Sequence, residues 1–162
     1  MQDNEPIELL RNINFFTGVG DEHLAALAKM CRLVDFPART KIFEEFDRAQ
    51  DVYFIVEGSV SLAICDASSC RQITMVSKGE LLGWSPLIGR SRLFDTARTE
   101  TPLKTVVFRA EDLLKYCQQH TDFGFEFMRR AASVLGQRLS ATRQQLLELS
   151  GVHLPEIPLE SD

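Results

Sequence analysis

The chain has 162 residues, of which 44% are hydrophobic, 25% charged and 9% aromatic. This composition is typical of one soluble globular domain, and at this length folding buries roughly 70% of the surface of the unfolded chain, so that no metal or disulfide is needed to hold a core. Lys and Arg number 18 against 23 Asp and Glu, for a net charge of −5. Because nucleic-acid binding depends on clustered cations, this balance predicts no direct contact with DNA or RNA.

The sequence shows no secretion signal and no apolar stretch near the ~20 residues that cross a membrane. We therefore expect a cytoplasmic protein without membrane contact. The cysteines lack the spacing of a zinc or iron–sulfur site and are expected to be buried or incidental thiols. They are Cys31, Cys65, Cys70 and Cys117.

The first predicted element is a short amphipathic helix over residues 20–30. Leu24, Leu27 and Ala28 fall at helical spacing, and Asp21 is placed as its N-cap.

The middle of the chain is β-rich. Residues 51–64 are rich in Val, Ile, Tyr and Phe and are interrupted by Gly58, which predicts a strand, a turn and a second strand. In the second strand Val60, Leu62 and Ile64 alternate with small residues, so one face is expected to point into the core.

Further strands are predicted at 71–76, which forms a hairpin with the strand before it, and at 103–108. Many short strands between helices at the two ends predict a mainly β fold, closed or sandwich-like, with flanking helices. The β part is expected over about 33–108, within one domain that covers residues 1–150.

A long helix is predicted over about 121–150. Gly151 ends it, and Pro155 and Pro158 prevent a restart, so that 151–162 is expected to be a flexible tail. At 1.5 Å per residue the helix is roughly 40 Å long, more than a compact domain of this size covers.

This helix carries a heptad-spaced stripe. Two interpretations are open: the stripe packs on the chain's own β-domain, or, as its length and unbroken spacing favour, on a second copy in a parallel homodimer. Its members are Met128, Ala132, Leu135, Leu139, Thr142, Leu146 and Leu149.

No catalytic or metal-ligating pattern is visible. The three histidines, His23, His120 and His153, lack the spacing of a metal site. Nucleophile elbows and phosphate-binding glycine loops are absent from the sequence as well. We therefore expect a protein that is not an enzyme and holds no metal.

Three segments, in order, carry a family resemblance: residues 9–16 with their helix, 52–60 with an EG-x-V turn, and the sequence GELLG at 79–83. Over about 9–149 the chain resembles the cyclic-nucleotide-binding domain of the catabolite activator protein and its relatives. The resemblance implies an eight-stranded jelly roll, or double-stranded β-helix, followed by a long C-terminal helix. It also implies a short cassette in which backbone N–H groups, a glutamate and an arginine hold a cyclic nucleotide.

The cassette departs from the family pattern at several positions. Trp84 replaces the ribose-binding glutamate, Pro86 removes a backbone N–H, and Leu93 replaces the phosphate-binding arginine, with Phe94 and Asp95 after it. Losing charge-assisted contacts worth ~1.5–3 kcal/mol each makes ordinary cAMP or cGMP binding doubtful. The candidate ligand-binding residues are Gly83, Trp84, Ser85, Leu87, Arg92, Phe94 and Thr96.

Two of these residues have open roles. Arg92 either reaches the pocket through a one-residue bulge, as a substitute for the missing arginine, or is a solvated loop residue. Trp84 either stacks on a flat ligand or fills the pocket. The family's turn glycines are also absent from 39–43 and 44–47, which puts the local turn geometry in question.

Two functions follow from the resemblance. The first is a stand-alone regulatory sensor that binds a cyclic nucleotide, another nucleotide-like molecule or a small anion and signals through a dimer helix. The second is an interaction module with a closed pocket that works by dimerisation and protein binding. The residues after 150 are too few for the DNA-binding domain of the relatives, so we expect a protein partner to carry the signal.

Overall fold

The computed structural model describes residues 4–151. Within this range the helices are α1 Glu5–Arg11, α2 Asp21–Met30, α3 Ala110–Gln119 and α4 Thr121–Ser150. The strands are β1 Arg32–Phe36, β2 Lys41–Phe43, β3 Asp51–Glu57, β4 Ser59–Cys65, β5 Cys70–Ser77, β6 Leu81–Leu82, β7 Thr96–Thr99 and β8 Leu103–Arg109.

The eight strands form two antiparallel sheets that face each other. The first sheet has the order β1-β8-β3-β6 and the second the order β2-β7-β4-β5. This arrangement confirms the jelly roll with flanking helices and a long C-terminal helix. The predicted limits of the roll, 33–108, differ by one residue at each end from the observed Arg32 and Arg109.

The core has two parts, one on each face of the first sheet. Alternate side chains of β3 point in opposite directions, so Phe54 packs under the helices while Ile55 points between the sheets. On the helix side Phe15 and Phe16 contact Phe54, with the rings of Phe15 and Phe54 5.0 Å apart, and Phe127 packs against Phe15. The roll is therefore filled from inside and covered from one outer side.

The turn between β3 and β4 depends on Gly58. Its φ is +106°, and a Cβ at this position would lie 2.4 Å from the carbonyl oxygen of Pro102. The predicted alternation in β4 holds for Val60 and Leu62, which are buried, but fails for Ile64, which is 47% exposed. The alternation itself continues, because Ser61, Ala63 and Cys65 all line the groove on the outer face, and Ile64 is exposed near the end of the strand.

The thiol prediction is wrong for two of the four cysteines. Cys65 and Cys70 form a disulfide, because they lie directly opposite each other where the β4–β5 hairpin closes. Cys31 and Cys117 are free thiols, half-buried and buried respectively, which confirms the prediction for that pair.

Two helix features differ from the sequence-based expectation. Gly20, not Asp21, is the N-cap of α2, and Asp21 is its first helical residue. The helix α3 was not predicted. It begins directly after β8, and its buried face is formed by Ala110, Leu113, Tyr116 and Cys117.

The absent turn glycines leave two residues in a left-handed backbone conformation. Arg39 has φ +57° and Phe46 has φ +69°, each in a turn where the family resemblance implies glycine. The turns keep their geometry because backbone hydrogen bonds hold them: the Arg39 N–H donates to Thr99 O at 2.9 Å and the Phe46 N–H to Leu93 O at 3.0 Å. A side chain in this conformation costs roughly 1–2 kcal/mol.

Replacing Phe46 by glycine is therefore expected to stabilise the fold. The Phe46 side chain is 73% exposed, so little packing is lost. Glycine removes the left-handed penalty but adds ~0.5–1 kcal/mol of unfolded-state entropy, which leaves a net gain of up to about 1.5 kcal/mol. Urea unfolding measures this gain. Arg48→Gly, in the same loop without a positive φ, is the control and is expected to destabilise.

Candidate functional site

The cassette begins where β6 ends. Gly83 is buried with φ +71°, and a Cβ there would lie 2.9 Å from the carbonyl oxygen of Asp51 in β3. Only glycine fits this close approach without a shift of the backbone. The chain then turns through Trp84 into a short 3-10 helix, Ser85–Ile88, which has a proline in its first turn.

Two aromatic rings meet at the cassette. Trp84 and Phe94 are stacked, with ring centroids 4.8 Å apart and planes inclined by 25°. The guanidinium carbon of Arg90 lies 3.7 Å from the centroid of the Phe94 ring, in a cation–π contact. These three side chains form what we call the aromatic lid.

Little space remains under the aromatic lid. Leu93, only 6% exposed, points inward, and the cavity between these side chains has a volume of about 10 Å³. That is room for about one water molecule, whereas pockets for small-molecule ligands typically measure ~300–1,000 Å³. The cavity is lined by Phe43, Leu62, Leu81, Leu82, Gly83, Trp84, Ser85, Leu93, Phe94, Asp95 and Arg138.

Two half-buried residues of opposite charge, Arg138 and Asp95, line this cavity. Arg138 of α4 donates from Nη2 to the Leu81 carbonyl oxygen at 2.7 Å, while its Nη1 is buried without a hydrogen-bond partner. Burial lowers the pKa of Arg138, an effect opposed by Glu80 and Asp95. Burial likewise raises the pKa of Asp95, opposed by Arg138 and reinforced by Glu45. The site is thus an almost filled apolar pocket with one cation and one carboxylate in its wall.

Four of the predicted ligand-binding residues line this cavity: Gly83, Trp84, Ser85 and Phe94. In the structure the Trp84 ring lies against the Phe94 ring.

The other three lie elsewhere. Leu87 is buried in the core under the helices. Arg92 is exposed and donates from Nη1 to the Phe46 carbonyl oxygen at 3.3 Å, because its neighbour Leu93 is the residue that turns inward. Thr96 faces the outer side of β7, since successive strand residues alternate and Ala97 points into the roll. The inward bulge considered for Arg92 does not form.

Arg138 is the site residue that sequence reasoning missed. It continues the stripe by which α4 packs on its own roll, formed by Phe127, Ala131 and Val134. Each member of that stripe lies one residue before a member of the heptad-spaced stripe. The sequence pattern that could have identified Arg138 was a single arginine in an otherwise apolar helical stripe.

Asp95 predicts a pH dependence of stability. Because the folded-state pKa is raised above the ordinary 3.8, the native state binds the proton first as the pH falls. Relative to Asp95→Asn, the natural chain should therefore gain stability from neutral pH down to about pH 4, with no further change below. Urea unfolding of both proteins at a series of pH values measures the difference. A difference that does not vary with pH contradicts this assignment.

The heptad-spaced stripe of α4 is turned away from the roll. Met128 packs against the core and Leu135 is half-buried, but Leu139, Leu146 and Leu149 are 61–64% exposed. Ala132 and Thr142 are exposed too. Most of the stripe is thus left without a partner in this chain.

Residues 4–151 contain no helix long and apolar enough to cross a bilayer. In the same part of the chain no three or more His, Cys, Asp and Glu side chains are grouped so as to hold a metal ion.

Comparison with known proteins identifies the family. The profile of the cyclic nucleotide-binding domain matches residues 33–120, more than half of the chain. The chain therefore belongs to the cyclic nucleotide-binding domain family, as the resemblance implied. Among curated proteins it is 25% identical, over 154 residues, to a CRP-like cAMP-activated global transcriptional regulator of Mycobacterium tuberculosis. The match covers 91% of this chain and 65% of that regulator, so the chain spans less than two thirds of its relative's length.

Solved structures show the same fold. A putative cyclic nucleotide-binding protein from Geobacter metallireducens superposes with a TM-score of 0.70 at 28% identity, covering 82% of this chain and 96% of that one. A cyclic nucleotide-binding domain from Methylobacillus flagellatus gives a TM-score of 0.74 at 17% identity, covering 97% and 87%. The roll and the long helix are therefore shared features of these chains.

Proposed function

We propose that this chain is a non-enzymatic regulatory domain whose cyclic-nucleotide pocket is closed by its own side chains and which acts by dimerisation along α4. The observation that carries the proposal is the aromatic lid, which leaves about 10 Å³ where a ligand would lie. The domain thus keeps the family's scaffold and replaces its ligand by internal packing.

Charge supports the closed pocket. At the position of the phosphate-binding arginine stands Leu93, and the Asp95 carboxylate lies in the same cavity wall. A cyclic phosphate placed there would meet a carboxylate and would have to displace two stacked rings. The name of the Mycobacterium tuberculosis relative makes cAMP the first ligand to test, but the residues here do not favour it.

The exposed leucines of α4 support the second half of the proposal. A row of leucines more than three-fifths exposed is apolar surface that association removes from water. A second copy of the chain is the simplest partner, because the stripe has the spacing of a parallel coiled coil. A dimer of this kind then presents its outer surfaces to a further protein partner.

One observation favours a second function, a sensor for a small anion. The buried Nη1 of Arg138 has no hydrogen-bond partner and belongs to the cavity wall. A compact anion that displaced Phe94 outward would satisfy this nitrogen. Arg138→Gln removes the cation and is the variant that tests this function with inorganic phosphate.

A titration tests the proposal directly. Trp84 is the only tryptophan of the chain and belongs to the aromatic lid, so its fluorescence reports on the pocket. Millimolar cAMP or cGMP is expected to change neither the fluorescence nor the melting temperature beyond what the non-cyclic nucleotide AMP does. A ligand at 100 times its dissociation constant stabilises by ~2.7 kcal/mol, so binding would be easy to see. A saturable shift with a cyclic nucleotide would overturn the closed pocket, and one with phosphate that Arg138→Gln abolishes would favour the sensor.

A further inference from the structure

The tip of the β4–β5 hairpin carries a disulfide that contributes little to holding the hairpin together. Cys65 and Cys70 are directly paired in the ladder, which continues to Ser59 opposite Ser77. In the turn between the cysteines, the Asp66 N–H donates to Ser69 O at 2.9 Å. A cross-link that closes so short a loop removes little unfolded-state entropy. We therefore expect the hairpin to keep its pairing when the bridge opens.

Cys65 and Cys70 are accessible from an open groove. On the outer face of the second sheet lies a concavity of about 600 Å³, a size suited to a small molecule. Cys65 and Cys70 line it together with Gln72, Thr96 and Arg98. Cys70 is exposed and Cys65 half-buried, so a reagent in the groove meets Cys70 first.

The groove around the bridge carries charges of both signs. Lys41 and Arg98 line it together with Glu44, Glu45 and Asp66, whereas Arg71, the next residue of β5 after Cys70, points to the other face of the sheet. A Glu45 carboxylate oxygen accepts a hydrogen bond from the Cys65 N–H. An incoming thiolate is therefore repelled at Cys65 and reaches the exposed Cys70 more easily.

We propose that the Cys65–Cys70 bridge is a reversible thiol–disulfide exchange site for a small thiol. The thiolate of the reagent attacks Cys70 Sγ, the S–S bond breaks, and its electron pair leaves on Cys65 Sγ, which takes a proton from water. A second reagent thiolate then attacks the reagent sulfur of the mixed disulfide and releases Cys70. The protein disulfide is reduced by two electrons, and two reagent thiols are oxidised to their disulfide.

The site stands next to the long helix. Arg71 donates from Nε to Gln145 Oε1 of α4 at 3.2 Å. The bridge residue Cys70 is thus the chain neighbour of a residue that contacts α4, the helix to which we assign dimerisation.

The other two cysteines serve as internal controls. Burial raises the pKa of the Cys31 thiol, and it raises the pKa of the Cys117 thiol to about 11. Thiolate is the reactive form, so both are expected to resist exchange in the folded protein.

The first experiment equilibrates the folded full chain in buffers of graded ratios of reduced to oxidised glutathione, followed by alkylation and peptide mass analysis. Cys65 and Cys70 are expected to open and close reversibly while circular dichroism stays native and Cys31 and Cys117 stay unmodified. A bridge that opens only when the chain unfolds overturns the proposal. So does a pair that remains unbridged in oxidised glutathione.

The second experiment compares two single-cysteine variants of the pair. In Cys65→Ser, oxidised glutathione is expected to form a mixed disulfide with Cys70 about tenfold faster or more than it does with Cys65 in Cys70→Ser. Equal rates, or faster modification of Cys65, overturn the assignment of Cys70 as the attacked residue. Neither experiment involves the cassette, so its outcome is separate from that of the nucleotide titration.

Discussion

A variant with Trp84→Glu, Leu93→Arg, Phe94→Ser and Asp95→Ala is expected to bind cAMP, whereas the natural chain shows no saturable binding at millimolar concentration. The changes restore the side chains that the family resemblance implies at these four positions. Removing both rings of the aromatic lid enlarges a cavity that now measures about 10 Å³. The pocket then has both space and a cation for a cyclic phosphate.

The geometry explains why the new arginine should point correctly. Leu93 already faces the cavity at 6% exposure, so a longer side chain at this position starts in the right direction. Arg138 lies in the same wall and adds a second cation, while Asp95→Ala removes the opposing carboxylate. Two or so regained charge-assisted contacts are worth ~3–6 kcal/mol, or about 10²–10⁴ in affinity. Pro86 remains and supplies no N–H, so we expect micromolar rather than tighter binding.

Isothermal titration calorimetry measures this binding. The matched control carries the same changes at 84, 94 and 95 but Leu93→Met, which opens the pocket equally and lacks the guanidinium. It is expected to bind at least about tenfold more weakly. If the fourfold variant folds and still binds no cAMP, the pocket is inactive for a reason other than the aromatic lid and the missing arginine.

The elements that sequence predicts well are those whose pattern is local. The strands around Gly58 and the helix that ends before Gly151 are set by runs of β-branched residues, helical spacing and a stop residue within a few positions. The short helix α3 was not predicted, because it has few apolar residues and begins directly after a strand.

The lid and the disulfide depend on register across the fold. Trp84 and Phe94 are ten positions apart in sequence, on both sides of an irregular loop whose side-chain directions follow no period. The residue types alone therefore left open whether Trp84 stacks on a ligand or fills the pocket. Cys65 and Cys70 likewise pair only because the bulge in β4–β5 places them opposite each other.

Arg138 shows why the packing face of a helix could not be predicted from its spacing. Helical spacing identified one stripe on α4, but a helix carries several stripes at the same steps, and the one that packs on the roll is shifted by one residue. Periodicity fixes the angle between two stripes; it does not say which faces the chain's own core and which faces outward. That choice came from the contacts of Phe127 and Ala131 with the rest of the core.

The double substitution Leu135→Glu with Leu139→Glu is expected to convert a dimeric natural chain into monomers. Burying a leucine contributes ~1.5–3 kcal/mol, and the two changes affect four side chains in a symmetric dimer. The dimer is then weakened by about 6 kcal/mol or more, which is roughly 10⁴-fold in the dissociation constant. Leu139 is already 61% exposed in the single chain, so its substitution leaves the fold of the monomer intact.

Analytical ultracentrifugation over a range of concentrations measures the change, with circular dichroism as the check on folding. The matched control is Ser140→Glu with Gln144→Glu, which adds the same charge to exposed positions of α4 on a different face of the helix. It is expected to remain dimeric, because the heptad-spaced stripe is untouched. A natural chain that sediments as a monomer at every concentration would contradict the proposal outright, and the exposed leucines of α4 would then have to serve a different protein.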